Sequence, residues 1–259
     1  MSAEPRAPVS VIIPARNEER NIGDCIAGVS WAAEIIVLDS GSRDRTREIA
    51  AAAGAIVIET EWVGYGRTKN IGLARASQEW ILWLDADERV TPELGSEIRT
   101  LVGLPGRVPD SYEVARRAYF LGKWIRHCGW YPGYVVRLFR KKTGKFSERE
   151  VHEFVEAPPP HGRLRNDLLH YTDETLYHYL RKFNEYTTLA ALDGEKGRKR
   201  AAVSDLLFRP PFMFLKMYIF RLGFLDGLHG LVLSLLSSAY VFVKYAKIAE
   251  RRRGIVSGN

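Results

Sequence analysis

The sequence predicts an α/β fold, a mostly parallel central sheet with helices on both faces, followed by a helical, apolar C-terminal region. Three observations predict it. Over roughly the first ninety residues, short apolar runs alternate with stretches of helical periodicity joined by short loops, the pattern of strand–helix–strand units. The 259 residues are 46% apolar and 27% charged, a globular balance in a chain long enough to bury a core without staples. Cys25 and Cys128 are the only cysteines, which excludes a disulfide scaffold and a four-cysteine zinc site.

Each element has a local reason. Val9 to Ile13 is β-branched and stopped by Pro14, so it reads as a buried strand. Asn17 caps the following helix, with Glu18 and Glu19 in its first turn and Ile22, Ile26 and Val29 on one face. Glu34 to Leu38 is a second strand, running into Asp39-Ser40-Gly41-Ser42, after which Asp44 and Thr46 open a helix through Ala53. Ala55 to Ile58 is a third strand. A glycine-containing loop, Trp62 to Gly66, precedes a helix over Thr68 to Ala76. Trp80 to Leu84 is a fourth strand ending at Asp85-Ala86-Asp87, and Pro92 to Val102 is a further helix. Beyond a Pro/Gly loop the pattern is strand-like and irregular to about Leu169, including Tyr112 to Ala118 and Tyr134 to Arg140. Thr172 to Ala191 reads as an amphipathic helix and Lys196 to Arg200 as a solvated linker. Leu206 to Ala249 is apolar with aromatics throughout and runs into Arg251-Arg252-Arg253.

The net charge of +7 is unevenly placed. Residues 1–193 hold 26 Lys+Arg against 27 Asp+Glu, and residues 194–259 hold 12 against 4. This divides the chain into a near-neutral domain over 1–193, with halves 9–101 and 102–193, and a basic, hydrophobic region over 194–259. Cations within an apolar segment suit an anionic membrane surface and not a nucleic acid. The longest apolar run, Leu231 to Val243, is short of the ~20 residues of a membrane span. Phe212 to Leu225 is interrupted by Lys216 and Arg221. Both therefore read as interfacial helices, with Lys244, Lys247 and Arg251 to Arg253 at the headgroups. The competing readings are a helical pair packed on the domain or forming a dimer, and a hairpin that spans the membrane. Met1 to Pro8 is polar and shows no secretory h-region.

In open α/β sheets, ligands bind beyond the carboxyl ends of the strands. Three strand ends therefore matter together: Pro14 to Glu18, Asp39 to Asp44, and Asp85 to Asp87. Asp85 and Asp87 can hold a hard divalent cation, for which carboxylates and phosphate oxygens are the usual ligands. A turn in which Asp87 caps the next helix is the structural alternative. Neither a G-x-x-x-x-G-K-[ST] nor a G-x-G-x-x-G motif follows the first strand, so a bound phosphate would have to be neutralised by a cation and basic side chains.

Val11-Ile12-Ile13-Pro14-Ala15-Arg16-Asn17-Glu18, Val37-Leu38-Asp39-Ser40-Gly41-Ser42 with Asp44 and Thr46, and Asp85-Ala86-Asp87 resemble, in order and interval, the signatures of family 2 glycosyltransferases. Trp62-Val63-Gly64-Tyr65-Gly66, Lys69-Asn70, Arg137-Leu138-Phe139 and Val151-His152-Glu153 resemble the bacterial subgroup that adds glucose to heptose of the lipopolysaccharide inner core. The family likeness covers about Val9 to Leu101, and the subgroup likeness extends more weakly to the end of the chain. It implies a GT-A fold, inversion at the anomeric carbon, a UDP-sugar donor, Mg²⁺ or Mn²⁺, and a lipid-linked saccharide acceptor. The implied location is the bacterial cytoplasm, peripheral on the inner membrane. By motif, Pro14, Ala15 and Glu18 line the base and ribose pocket, and Asp39 accepts from the uracil ring. Asp85 contacts the ribose and the metal side, Ala86 lies between on the nucleotide side, and Asp87 ligates the cation. Lys69 contacts the nucleotide. Plain structural roles compete for Pro14 as a strand stop, Glu18 at a helix N-terminus and Lys69 as a solvated helix residue.

An inverting transfer needs a general base. The family places an Asp or Glu well after the paired aspartates, but this sequence lacks the usual Glu-Asp pair there. The candidates are Glu148, Glu150 and Glu153, with Glu153 favoured because His152-Glu153 matches the subgroup. By analogy with other GT-A enzymes, His170 completes the metal shell, and a structural histidine is its alternative. Arg137 matches a diphosphate, with an ordinary salt bridge as its alternative. A polyprenyl-phosphate sugar transferase is the rival enzyme, disfavoured by Trp62 to Gly66 and His152-Glu153. A basic membrane-binding module is the non-enzymatic rival, and leaves the paired aspartates unexplained.

Overall fold

The computed structural model describes residues 6–105, 108–148, 154–196 and 202–252. In chain order the elements are β1 (Ala7–Ala15), α1 (Ile22–Ala27), β2 (Ala32–Asp39), α2 (Thr46–Ala52), β3 (Ile56–Glu59), α3 (Tyr65–Arg75) and β4 (Trp80–Trp83). Then follow β5 (Glu88–Val90), α4 (Pro92–Val102), β6 (Ser111–Phe120), β7 (Lys123–Trp124), β8 (Gly133–Arg140), β9 (Lys145–Phe146), β10 (Val155–Glu156), β11 (Gly162–Arg163) and β12 (Leu168–Asp173). Three helices close the chain, α5 (Leu176–Lys196), α6 (Val203–Leu215) and α7 (Gly227–Arg252).

The chain forms two compact units, one from Met1–Arg117 with Gly133–His170 and one from Ala118–Pro132 with Tyr171–Asn259. The charge-based division at Asp193 falls elsewhere, inside the unbroken helix α5. Compactness follows side-chain packing, and α7 reaches back across that boundary: Lys247 Nζ donates to Asn184 O and to the Thr187 and Thr188 hydroxyls of α5.

In the first unit the sheet order β3-β2-β1-β4-β8-β6-β12-β5 begins with parallel pairs and continues with antiparallel ones. This is the α/β architecture that the sequence predicts, a sheet with helices on both faces, with the apolar C-terminal helices following it in the chain. Both faces are covered. Val9, Val11, Ile13 and Val37 pack with Ile22, Ile26, Leu94 and Ile98 of α1 and α4. Ile12, Ile36 and Leu38 face the other way, with Ile71 of α3, Trp83 and Phe146. Burial on two faces is why β1 and β2 read as continuous apolar runs and do not alternate.

Several local expectations are corrected. Pro14 does not stop β1, which continues to Ala15 and pairs Ala15 with Asp39. The pairing of β1 with β4 ends at Ile12, so the missing N–H of Pro14 falls where one side of the strand is already open. Asn17 does not cap α1, which starts at Ile22 after Asn21. Asn17 has φ 57° in the loop, where its amide donates to Ser42 Oγ and its Oδ1 accepts from Arg43 N. Glu18 and Glu19 therefore precede the helix. Thr172 and Asp173 end β12, and α5 begins only at Leu176.

The second unit has its own small core of Phe120, Ile125, Cys128, Met217 and Leu233. Between α6 and α7 the chain passes through a π-helical turn (Lys216–Phe220) and a 3₁₀ turn (Gly223–Asp226), with Leu222 left-handed at φ 54°. The thirteen-residue apolar run is only part of α7: Gly223–Arg251 is long and apolar enough to cross a membrane by length and composition. Helix length is set by backbone hydrogen bonding, which continues through the serines, tyrosines and lysines that interrupt the apolar run.

Candidate active site

The parallel register brings the carboxyl ends of β1, β2 and β4 to one edge of the sheet: Ala15 stands beside Asp39, and Ile12 beside Trp83. The loops after β1 and β2 are laced together. Thr46 Oγ1 accepts from Glu18 N at 2.8 Å, Asp44 Oδ2 from Glu19 N at 3.1 Å, and Ser42 Oγ from Asn17 N at 2.9 Å. This is what the Ser-x-Asp-x-Thr spacing accomplishes: short oxygen acceptors from one loop satisfy the turn amides of the other.

Asp39 is fully buried at the end of β2. Its Oδ1 accepts from the amides of Gly41 (3.1 Å) and Ser42 (3.0 Å), while its Oδ2 has no hydrogen-bond partner. A buried carboxylate oxygen left without a donor is costly, and a ring N–H would relieve it. Pro14 and Glu18 are half-buried near it and Ala15 is buried.

After β4 lies a dense ionic cluster. Arg137, buried on β8, donates to Asp85 Oδ2 at 3.0 Å and to Glu88 Oε1. Lys69 of α3, equally buried, places Nζ 3.5 Å from Asp85 Oδ1. Both cations lie over the Trp83 ring, Lys69 Nζ at 3.7 Å and Arg137 Cζ at 3.5 Å from its centroid. The ring's negative face helps to hold charges that burial would otherwise penalise. Burial pushes the Asp85 carboxyl up, but the charges of Lys69 and Arg137 more than offset this and hold it well below the usual carboxylate range. In Glu88 burial dominates and raises the pKa despite Arg137. Arg137 still has Nε and Nη1 buried without partners, and Arg116 on β6 has Nε in the same condition. Three acidic groups, Asp85, Asp87 and Glu88, are thus matched by Lys69, Arg116 and Arg137.

Asp87 and His170 form the second element of the cluster. His170 pairs with Glu88 in the β12–β5 ladder, and its Nε2 lies 3.5 Å from Asp87 Oδ1. Burial lowers the imidazole pKa, but the hydrogen bond and charge of Asp87 reverse this, so the net shift is upward. A carboxylate oxygen and an imidazole nitrogen at this separation fit one coordination shell, and the pair suits Mn²⁺ or Mg²⁺ with phosphate oxygens and water as remaining ligands. No group of three or more His, Cys, Asp or Glu is gathered for a metal among the described residues, so the protein alone does not complete such a shell. Asp85, expected on the metal side, turns its two oxygens to Arg137 and Lys69. Ala86 is buried between the two aspartates, its carbonyl accepting from Arg89 Nη1.

Of the base candidates, Glu150 and Glu153 lie outside the described residues, as does His152. Glu148 is exposed and pairs with Arg67 at 3.2 Å. The hairpin that carries this segment, β9 and β10, is fastened at its described ends. Ser147 N donates to Phe154 O, and Phe154 N donates to Ser147 Oγ. Asn70, next to Lys69, both donates to Phe146 O and accepts from Phe146 N. A Cβ on Gly66 would stand 1.8 Å from Ser147 O, so the first turn of α3 meets the hairpin only because residue 66 is glycine. Gly66 and Asn70 therefore dock the described end of the hairpin, Phe146 and Ser147, onto the helix bearing Lys69.

Sequence reasoning missed Glu88, Trp83 and Arg116. Glu88 directly follows the paired aspartates, a signal available in the sequence. Trp83 read simply as strand core, and nothing local marks Arg116, which β6 brings into the cluster.

The profile of the family described as Glycosyl transferase family 2 matches residues 10–105. The chain is 32% identical, over 95% of its length and 94% of the relative's, to the lipopolysaccharide core biosynthesis glycosyltransferase LpsC of Rhizobium meliloti. It is 27% identical, over 93% of its length and 87% of the relative's, to an uncharacterized glycosyltransferase of Rickettsia typhi. A glucosyl-3-phosphoglycerate synthase structure from Mycobacterium tuberculosis with Mn²⁺ and uridine diphosphate shows partial likeness, at 27% identity, 44% coverage of each chain and a TM-score of 0.34. The chain is an enzyme of the family 2 glycosyltransferases.

Proposed function

We propose that this chain is an inverting hexosyltransferase that moves glucose from a UDP-sugar to a saccharide of the lipopolysaccharide core, with Mg²⁺ or Mn²⁺ held by Asp87 and His170. The near full-length similarity to LpsC supports the core saccharide as acceptor. The observation that carries the donor half is the 3.5 Å pairing of Asp87 with His170 beside an arginine with unpartnered buried N–H groups.

In this reading Asp39 Oδ2 accepts the uracil ring N–H, Pro14 and Ala15 wall the base, and Glu18 and Asp85 face the ribose. Ala86 forms the floor between them. Arg137 directs Nε and Nη1 at the diphosphate, and Lys69 keeps Asp85 ionised. Bound at Asp87 and His170, a divalent cation supplies charge stabilisation for the departing diphosphate. The acceptor hydroxyl oxygen forms a bond to the anomeric carbon from the face opposite the diphosphate. The bond from that carbon to the diphosphate oxygen breaks, its electron pair leaving with UDP. Glu153 takes the hydroxyl proton, a role worth about 10²–10⁴-fold for a positioned base. The acceptor is a lipid-linked saccharide at the cytoplasmic face of the inner membrane.

Calorimetry with a panel of UDP-sugars, with and without Mn²⁺ or Mg²⁺, tests the donor half. The expected result is metal-dependent binding of UDP-glucose in preference to its epimers. Failure to bind any UDP-sugar in either metal would overturn the proposal. Transfer of labelled glucose to a heptose-containing inner-core acceptor tests the rest.

A further inference from the structure

The second unit carries an apolar surface that its own fold does not cover. On α6, Val203, Leu207, Phe208 and Phe212 are all exposed, Phe208 at 70%. Phe208 and Phe212, with the exposed Leu215, share one stripe of the helix by their i, i+4, i+7 spacing, and Val203 and Leu207 lie on the neighbouring face. The stripe leads to the turn between α6 and α7, where Phe220 and Leu228 are each 71% exposed and Leu222, Phe224 and Leu225 are exposed with them. A water-facing surface does not ordinarily gather this many large apolar side chains.

The turn is held in this form and does not fray outward. Asp226, 2% exposed, accepts from the backbone amides of Arg126 (3.2 Å) and His127 (2.8 Å), and its own carbonyl accepts from Lys123 Nζ. Leu222 is kept left-handed at φ 54°, a strained conformation for leucine, with its side chain still exposed. Cations flank the apolar groups: Lys216 and Arg221 are exposed beside the turn. The acidic residues of 202–252 are Asp205, Asp226 and Glu250, against seven Lys and Arg. Asp226 is buried, and Asp205 is taken by Arg209 at 2.5 Å.

We infer that the Phe220–Leu228 turn and the exposed stripe of α6 form a wedge that enters the headgroup and upper acyl region of an anionic bilayer, with Lys216 and Arg221 on lipid phosphates. Charge decides between occupants. An isologous dimer through this patch would set its cations against a surface whose acidic residues are the buried Asp226 and the Arg209-paired Asp205, the exposed Glu250 lying at the far end of α7, whereas anionic headgroups supply the opposite charge. Packing decides between lying on the bilayer and crossing it. Although α7 is long enough to span, its C-terminal half is bound to α5, through Tyr240 OH to Tyr186 O and Lys247 to Asn184 and Thr187. Spanning would draw the charged residues of α5, among them Arg181, Glu185 and Asp193, into hydrocarbon. Lys247, expected at the headgroups, is instead spent inside the unit.

The test is co-sedimentation of the full chain with vesicles of phosphatidylglycerol and phosphatidylethanolamine, against phosphatidylcholine vesicles. The wild type is expected to partition onto the anionic vesicles. Phe220→Ser with Leu225→Ser and Leu228→Ser, and separately Lys216→Glu with Arg221→Glu, should each lower partitioning by about ten-fold or more. Phe224→Cys carrying an environment-sensitive dye should shift to the blue on anionic vesicles; this readout removes few contacts, and both native cysteines are buried. A wild type that ignores both vesicles, variants that bind as it does, or a dye that does not shift would each overturn the wedge. Membrane fractions that retain the protein through alkaline carbonate would overturn it in favour of a span. A dimer abolished by the serine substitutions, without vesicle binding, would overturn it in favour of a second copy.

Discussion

His170 stands opposite Glu88 in the antiparallel ladder of β12 and β5, although 82 residues separate them in the chain. The pairing fixes the histidine backbone one residue from Asp87 and brings Nε2 to 3.5 Å from its carboxylate. If this pair holds the cation, Asp87→Asn and His170→Ala should each weaken Mn²⁺ binding in the presence of UDP by at least roughly 10–100-fold, the range seen when even outer partners of a metal site are lost. Manganese paramagnetic resonance titration reads the change, and an unchanged affinity would move the site elsewhere.

Asp39→Asn separates binding from folding. The amide oxygen can still accept from the Gly41 and Ser42 amides, but an NH₂ group replaces the Oδ2 that lacks a partner. UDP affinity should fall by about 1.5–3 kcal/mol, the worth of a charge-assisted hydrogen bond. The melting temperature should move little. Calorimetry and a thermal melt on the same sample check both.

Arg137→Met should be among the most damaging substitutions to the fold. It leaves Glu88 and Asp85 with a lost cation, and Glu88 is fully buried. Breaking a buried pair from one side costs about 3–5 kcal/mol. Adding Glu88→Gln should recover part of that loss in urea unfolding. Equal loss in the single and double variants would show that the arginine matters through its packing on Trp83.

Gly66→Ala should uncouple the donor and acceptor halves. Its Cβ would stand 1.8 Å from the Ser147 carbonyl, so the hairpin must shift away from α3. UDP binding should persist while transfer falls steeply, measured as kcat against the donor Kd. Parallel loss of both would mean that the hairpin also shapes the donor pocket.

Glu153→Gln should abolish transfer with donor binding intact, a loss of about 10²–10⁴-fold in kcat. Glu148→Gln should remain near wild type, because that carboxylate is exposed and paired with Arg67. The reverse result would assign the base to Glu148.

Sequence alone was enough for the parallel half of the sheet, because strands buried on both faces must be continuously apolar and their crossover helices must be amphipathic. Helix α4, read over Pro92 to Val102, matches to the residue, and the structure adds its cap: Thr91 accepts from Leu94 N, and proline fits the first turn. Paired aspartates after β4 and the Asp39 loop were legible for the same local reason, since acidic groups directly after an apolar run mark a strand end. Asn17 misled because a left-handed loop residue and a helix cap share the same polar side chain. What only tertiary structure decided is which of these groups meet. Strand pairing between residues far apart carries His170 to Asp87 and Arg137 to Asp85 and Glu88, and no spacing along the chain encodes such a register. The tertiary structure also assigned the C-terminal cations. Lys247 satisfies α5 while Lys216 and Arg221 remain outside, a distinction set by which helix face is covered and not by composition.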